Sequence, residues 1–314
     1  VDRQLRHAID LLREAGVQLV RLFGPEHGVR ATAQDMEGVD EVRDPVTGLP
    51  TVSLYGHDAA SLRPRPEHLD DVDVLVFDIQ DIGTRFYTYQ ATLGFVMEAA
   101  GARGLPVVVL DRPNPITGVH VEGNRVHPGF ESFVGTTPLA VRHGLTVGEI
   151  AAWFVAHAGV DCEIEVVPCE GWRRGQWFDQ TGLPWVYPSP NMPTLETATI
   201  YPGMCLLEAT TLSEGRGTTR PFHLVGAPGV DPEGVCAEAH AIAGRAGLRG
   251  VRFRPAAFVP GFQKHAGTGC TGLEVHLTDR DALDAFLLGM VVVQAFHRAA
   301  PEAFGWRPQA YEFV

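Results

Sequence analysis

The sequence predicts an α/β protein with a Rossmann-like, mainly parallel sheet, followed by a second, smaller α/β domain at the C-terminal end. Short apolar runs alternate with helical patterns, and each run is continuous in Val, Ile and Leu, which is typical of strands buried on both faces. The length of 314 residues is about twice that of an average domain. We therefore predict a catalytic domain over 1–200 and a smaller domain over 201–314 that contributes to the cleft.

The N-terminal half begins with a helix that carries Leu5, Ile9 and Leu12 on one face and ends at Gly16. A buried strand is predicted over 17–23. The other apolar runs and helical patterns of this half predict strands over 72–79, 107–110 and 162–167 and helices over 88–102 and 147–156. Thr146 and Glu149 form a capping box at the start of the last helix.

The later segments are less regular. Residues 170–222 are rich in turns and weakly periodic, which predicts a functional loop system. The last third predicts helices over 235–246 and 282–298 and strands over 251–254 and 273–277. Residues 267–272 spell G-x-G-x-x-G, but a strand follows them, so we expect a turn and no phosphate site.

Composition excludes several classes of function. The net charge is −13 and no stretch concentrates Lys and Arg, so we expect no nucleic-acid partner and no attraction to anionic membranes. Lys264 is the only lysine, which argues against P-loop and Ser-Lys chemistry elsewhere. The five cysteines form no C-x-x-C pair and favour buried thiols. No apolar run approaches the roughly 20 residues of a membrane helix.

Polar clusters follow three predicted strands, at 24–28, 78–85 and 111–115. Because open α/β sheets bind ligands at the carboxyl ends of their strands, we expect these clusters to share one rim. In the first cluster, Pro25 and Gly28 fix the backbone around Glu26 and His27, and Glu26 is the candidate general acid.

Several polar residues have more than one interpretation. Asp78, Asp81 and Asp111 could bind a metal together with His27, although strand-end aspartates more often cap helices or bind loop N–H groups. Asp111 and Arg112 are expected to form a structural or substrate-orienting pair. Arginines in the loops of an acidic protein indicate either anion sites or ion pairs that brace the loops. The aromatic residues between 172 and 187 favour stacking on a sugar ring.

Six motifs in chain order resemble the exo-β-N-acetylmuramidases of the NamZ type. The motifs are LFGPEHG at 22–28, TGLP at 47–50 with SLYG at 53–56, FDIQDIG at 77–83 with RFYTY at 85–89, DRPNP at 111–115, PSPNM at 188–192 and EGRGT at 214–218. The resemblance implies release of N-acetylmuramic acid from the non-reducing end of peptidoglycan fragments. It also implies an active site between a Rossmann-like domain and a smaller one, with Glu26 as the catalytic glutamate.

Glycoside cleavage usually takes two carboxyl groups. We expect Glu26 to act as the acid, with His27 orienting it. The second group is expected among Glu208, Glu214 and Asp78, in that order, unless the 2-acetamido group of muramic acid is the internal nucleophile.

Muramic acid carries a lactyl carboxylate, so its selection requires a cation, for which Arg216 is the first candidate and Arg85 the second. No cofactor is expected, and muramyl sugars or muropeptides are the expected partners. The expected substrate-binding residues are Asp78, Gln80, Arg85, Tyr89, Arg112, Asn114, Asn191 and Arg216.

Two other functions remain open from the residues alone. One is a peptidoglycan-fragment binding protein without turnover, and the other is a metal-assisted hydrolase that uses His27, Asp78, Asp81 and Asp111. The first residues do not form a signal peptide, and the opening strand of the family is absent, as in a trimmed or mature form. The family resemblance favours the cell envelope or the exterior, and cytoplasmic recycling remains possible.

Overall fold

The computed structural model describes residues 1–34 and 42–308. It is a mixed α/β structure, which confirms the predicted fold class. An N-terminal part contains two small sheets with parallel pairing, and a C-terminal part contains an antiparallel sheet covered by helices.

The elements of the N-terminal part alternate between strand and helix as predicted. They are α1 (Ala8–Glu14), β1 (Leu22–Gly24), β2 (Val42–Arg43), β3 (Pro50–Ser53), β4 (Leu75–Phe77), α2 (Tyr89–Gly101), β5 (Val107–Leu110), α3 (Val147–His157) and β6 (Ile164–Val167). One sheet has the order β1-β3-β2, with β1 and β3 parallel and β2 antiparallel. The other has the order β4-β5-β6 and is wholly parallel.

The strands β1 and β4 are shorter than the predicted runs 17–23 and 72–79. Each lies at the edge of its sheet, so in the described part of the chain one backbone edge of each strand has no strand partner. The side chains of Val17, which precedes β1, and of Val76 in β4 are exposed. Apolar composition alone therefore predicted strands that are too long, because hydrogen-bonded pairing ends where the neighbouring strand ends.

Helices α2 and α3 pack on the β4-β5-β6 sheet and bury Leu93, Met97 and Ile150 against it. The capping box at the start of α3 is confirmed, because Glu149 N donates to Thr146 Oγ1 and Thr146 N donates to the Glu149 carboxylate. These contacts satisfy backbone donors that the first helical turn leaves unpaired.

The C-terminal part is an antiparallel sheet packed against helices. Its elements are α4 (Leu195–Met204), β7 (Leu224–Ala227), α5 (Pro232–Ala246), β8 (Val251–Phe258), β9 (Cys270–Leu277) and α6 (Ala285–Ala299), with the sheet order β7-β9-β8. Helices α4 and α6 approach very closely at Gly203 and Gly289. A Cβ on Gly203 would lie only 1.9 Å from the Ala285 carbonyl oxygen, so a larger residue would separate the helices.

Helix α4 lies within the segment predicted to be loops, and that part of the prediction was wrong. Eight of its ten residues are buried, so it has no polar face to produce an amphipathic period, and it contains Pro202. Residue 200, the predicted domain boundary, falls inside this helix, and the boundary stays a prediction. Residues 267 and 268 form a turn and a bend, as expected, whereas residues 270–272, the second half of the motif, belong to β9.

Polar contacts join the two parts of the chain. The Glu122 carboxylate is paired with Arg142 and accepts hydrogen bonds from Ala285 N (2.8 Å) and Phe286 N at the start of α6. Trp177 Nε1 donates to Asp281 Oδ1 over 2.8 Å.

All five cysteines are free thiols, and four of them are buried. Within 1–34 and 42–308, no helix has the length and apolar character to span a bilayer.

Candidate active site

The carboxyl group of Glu26 lies in a buried turn at the carboxyl end of β1. Gly28 N donates to the Pro25 carbonyl over 2.8 Å and closes this turn, and His27 adopts a left-handed φ of 71°. Such a φ is strained for a residue with a side chain. His27 Nδ1 donates to the Ala33 carbonyl over 3.0 Å. The turn therefore holds Glu26 at a defined position, with only 6% of its surface exposed.

Helix α2 supplies the side chain that orients this carboxyl group. Thr88, the residue at the N-cap of α2, donates a hydrogen bond from Oγ1 to Glu26 Oε2 over 2.7 Å. It makes no side-chain cap to its own helix. Threonine at this position normally caps the helix, so no pattern in the sequence predicts that Thr88 reaches Glu26.

Tyr89 lies between the loops that follow β1 and β4. Its hydroxyl donates to the Pro188 carbonyl over 2.7 Å and lies 3.4 Å from the Glu26 carbonyl. Burial raises the pKa of Tyr89, and the charges of Glu26 and Asp81 raise it further. The Tyr89 hydroxyl therefore connects the turn that carries Glu26 with the segment that contains Pro188.

Asp81 is a buried carboxylate that is only partly satisfied. Its Oδ2 accepts from Gly83 N over 2.6 Å and lies 3.4 Å from His143 Nε2, whereas its Oδ1 is buried without a hydrogen-bond partner. Leu145 N donates to His143 Nδ1, so a neutral His143 carries its proton on Nε2, facing Asp81.

The pairing expected between Asp111 and Arg112 was wrong. The Arg112 guanidinium instead binds Asp78, with Nη2 and Oδ1 2.5 Å apart. Asp111 accepts from Gly148 N and Thr146 Oγ1 and so anchors the start of α3. The tertiary structure determines which aspartate pairs with Arg112, because β4 and β5 are adjacent and place Asp78 beside the loop that follows β5.

The amide groups predicted to bind the sugar already have protein partners. The Gln80 amide donates to the Asp81 and Pro113 carbonyls. Asn114 donates to Leu145 O and accepts from Ile116 N. Asn191 Nδ2 donates to Gln34 Oε1. These contacts fix the loops at the strand ends.

Arg85 is a buried cation without a carboxylate partner among the described residues. Its Nη1 donates to the carbonyls of Asn124 and Leu139, each over 2.6 Å, and its Nε is buried without a partner. Burial lowers the pKa of this guanidinium. Only 5% of the residue is exposed.

Arg216, Glu208, Glu214 and Lys264 form a buried ion cluster in the C-terminal part. Arg216 Nε donates to Glu214 over 2.8 Å, and its Nη2 donates to Glu208 over 2.5 Å. Lys264 Nζ lies 2.8 Å from Glu214 Oε2 and donates to the carbonyls of Leu207 and Thr210. Although burial opposes it, the two cations lower the pKa of Glu214.

A row of buried aromatic rings leads from the surroundings of Glu26 to this ion cluster. The Tyr87 ring lies 6.1 Å from that of Tyr201, which in turn lies 4.8 Å from that of Phe222. The Arg216 guanidinium lies 5.2 Å from the centre of the Phe222 ring. The two groups of site residues are thus linked through packed rings.

A cavity of about 550 Å³ lies between β1 and β4, which is within the usual size of small-molecule sites. Most of its lining is apolar, and the loops at the strand ends contribute Pro25, Asp78, Gln80 and Arg112, together with Tyr89 at the start of α2. The loops after β1 and β4 therefore border one space, but Glu26, His27 and Asp81 are not among its lining residues.

Metal binding by the four residues considered above has no support in the geometry. Within the ranges that the structure describes, no group of three or more His, Cys, Asp or Glu side chains is arranged to hold a metal ion. Asp111 and Asp78 instead bind a helix start and a guanidinium.

Comparisons with known proteins cover nearly the whole chain. The family models for exo-β-N-acetylmuramidase NamZ match residues 1–196 with the N-terminal domain and 199–314 with the C-terminal domain. The chain is 46% identical over 305 residues to the peptidoglycan β-N-acetylmuramidase NamZ of Bacillus subtilis, covering 97% of this chain and 72% of that protein.

Two crystal structures of DUF1343 family proteins from Bacteroides fragilis are similar in fold. One has a TM-score of 0.84 at 38% identity and covers 96% of this chain and 76% of its own. The other has a TM-score of 0.70 at 26% identity and covers 96% of this chain and 77% of its own. The six motifs, the fold and the two domain matches agree, and the chain belongs to the exo-β-N-acetylmuramidase NamZ family.

Proposed function

We propose that the protein is an exo-β-N-acetylmuramidase, a glycoside hydrolase that releases N-acetylmuramic acid from the non-reducing end of peptidoglycan fragments. The observation that carries the proposal is Glu26, a buried carboxyl group that the turn after β1 and the Thr88 hydroxyl hold in one orientation. Its sequence motif is part of the match to the family and to the B. subtilis muramidase.

Glu26 acts as the general acid in this proposal. As the bond between C1 of the muramic acid and the glycosidic oxygen breaks, the carboxyl group gives its proton to that oxygen. A fixed carboxyl group suits this role, because proton transfer requires the acid within hydrogen-bond reach of the leaving oxygen. The backbone turn at His27 and the Thr88 hydrogen bond both restrict the carboxyl group.

We assign recognition of the lactyl carboxylate to Arg85 rather than to Arg216. Two carboxylates, those of Glu208 and Glu214, already bind Arg216. Arg85 is equally buried, but its described partners are neutral carbonyl groups. A buried guanidinium with neutral partners favours an anionic ligand, because charge pairing offsets the cost of removing the cation from water.

The substrates in this proposal are muramyl sugars or muropeptides, and they would lie beside Tyr89 at the start of α2 and Asn191 in the loop before α4. Peptidoglycan is a component of the cell envelope, so we also propose that the protein acts there or outside the cell. Fractionation of producing cells, with activity measured in each fraction, tests this placement.

Glu26→Gln tests the catalytic assignment. We expect the variant to release N-acetylmuramic acid from a purified disaccharide about 10²–10⁴-fold more slowly, which is the usual contribution of a general acid. Glu98→Gln, at an exposed residue of α2 paired with Arg63, is the matched control and should retain full turnover. Turnover by Glu26→Gln within a few-fold of the wild type would exclude Glu26 as the acid, and a wild type without turnover would exclude the function.

A further inference from the structure

We infer that Asp81 is the second carboxylate of the reaction and takes the proton of the group that attacks C1. This inference rests on the proposed function and adds a catalytic residue to it. It replaces the candidates that the sequence favoured, Glu208, Glu214 and Asp78.

The burial and hydrogen bonding of the Asp81 carboxylate are the first argument. Only 4% of the residue is exposed, and Oδ2 is held by Gly83 N and faced by His143. Oδ1 is buried and has no hydrogen-bond partner. A buried acceptor without a partner is unfavourable, so we infer that a ligand or substrate group completes it.

The position of Asp81 is the second argument. It lies in the loop after β4, next to Gln80, which lines the same cavity as Pro25, the neighbour of Glu26, although neither Asp81 nor Glu26 is itself among the lining residues. Tyr89 contributes to that lining as well, and its hydroxyl is close to the Glu26 backbone. The effect of both carboxylates on the pKa of Tyr89 agrees with this placement.

The other carboxylates considered for this role are already bound to cations. Arg216 binds Glu208 and Glu214, Lys264 binds Glu214, and Arg112 binds Asp78. A carboxylate held by a guanidinium already uses its oxygens as acceptors for that cation, so fewer lone pairs remain for the attacking group. Asp81 has no Lys or Arg partner among the described residues, and its buried Oδ1 has no hydrogen-bond partner.

The bonds and protons of the step balance with water as the only co-reactant. The attacking group is the oxygen of water or of the substrate's own 2-acetamido group, and it forms a bond to C1 while the bond from C1 to the leaving oxygen breaks. Asp81 Oδ1 takes the O–H proton of the water or the N–H proton of the acetamido group. In the second case the product of the step is an oxazoline, and a water molecule then attacks C1, breaks its bond to the acetamido oxygen and releases N-acetylmuramic acid. Glu26 gives its proton to the leaving oxygen, and exchange with solvent restores both carboxyl groups.

Asp81→Asn tests this role, because it keeps the size of the side chain and removes the base. We expect kcat on the disaccharide to fall by about 10²-fold or more, with KM within a few-fold. The activity defects of the Glu26 and Asp81 variants should depend differently on the leaving group, which distinguishes the roles of the two carboxyl groups. With a 4-nitrophenyl muramide, whose leaving group needs no proton, the defect of Glu26→Gln should shrink and that of Asp81→Asn should persist.

Asp111→Asn is the matched control, since Asp111 is also a strand-end aspartate but binds the start of α3. We expect it to lower the melting temperature and leave kcat per folded molecule unchanged. If Asp81→Asn fails to fold, Asp81→Ala assayed with added formate replaces it, and restored turnover supports the role.

The outcomes separate this inference from the function on which it rests. A wild type that releases no N-acetylmuramic acid overturns both. If the wild type is active and the folded Asp81→Asn variant has a kcat within about threefold of the wild-type kcat, only the Asp81 assignment is overturned. The Asp81 assignment is also overturned if the kcat defect of Asp81→Asn shrinks with the 4-nitrophenyl substrate. The same holds if Asp81→Ala is inactive and added formate does not restore its turnover.

Discussion

Replacement of Glu214 by Gln should destabilise the protein without removing a reacting group. The side chain keeps its shape in this variant and loses its charge. Arg216 Nε loses a charged acceptor 2.8 Å away, and Lys264 Nζ loses the carboxylate oxygen that it contacts at 2.8 Å. Both cations then remain in a cluster where Glu214 itself is only 1% exposed.

The magnitude follows from these two contacts. A hydrogen bond to a charged group contributes about 1.5–3 kcal/mol, and breaking a buried ion pair costs about 3–5 kcal/mol. The amide oxygen of Gln retains one acceptor, and Glu208 remains beside Arg216, so we expect a loss of about 3–4 kcal/mol. This lowers the equilibrium constant for folding by about 10²–10³-fold.

Urea unfolding followed by circular dichroism measures this loss, and turnover per folded molecule is measured in parallel. The matched control is Glu238→Gln on α5, where a partly exposed carboxylate pairs with Arg298 and Arg245. Exposed ion pairs contribute at most about 1 kcal/mol, so the control should change little.

Two results would refute this reasoning. If Glu214→Gln is no less stable than Glu238→Gln, the cluster does not depend on the Glu214 charge. If stability is unchanged while kcat falls by about 10²-fold or more, Glu214 is a reacting group and the ion cluster belongs to the catalytic centre.

Two further predictions concern Asp44 and Arg85. Arg30 and Thr47 bind Asp44 and hold its pKa well below the ordinary value of an aspartic acid, so its contribution to stability is complete above that ordinary value, about 3.9, and is lost as the pH falls towards the native pKa. The difference in unfolding free energy between the wild type and Asp44→Asn should therefore be large at pH 7 and shrink below pH ~4, and a difference independent of pH would contradict it. Arg85→Ala should lower kcat/KM for a muramide by about 10-fold or more and leave that for a glucosaminide unchanged, whereas an unchanged ratio of the two would reject the lactyl contact.

The sequence predicted the parts of the site that depend on local backbone. Glu26 could be placed because an apolar strand, a proline and a glycine together define a turn at a strand end, and the structure has that turn. The capping box at Thr146 follows the same logic. Both depend on residues within a few positions of each other.

Contacts between distant segments could not be read from the sequence in this way. Arg112 adjoins Asp111 in the chain but pairs with Asp78, 34 positions away, because adjacent strands bring the two loops together. Thr88 reaches Glu26 across 62 positions. Helix α4 was missed because its nearly uniform burial removes the polar face that periodicity requires.

The position of Lys264 has a practical consequence for labelling. It carries the only side-chain amine in the chain, and its ammonium group is held by Glu214 and two carbonyls with little solvent contact. Acylating reagents must reach the amine, and the surrounding cluster shields it until the cluster opens. Acylation at Lys264, followed by mass spectrometry of the digested protein, can thus report how often the C-terminal part unfolds, without an engineered probe.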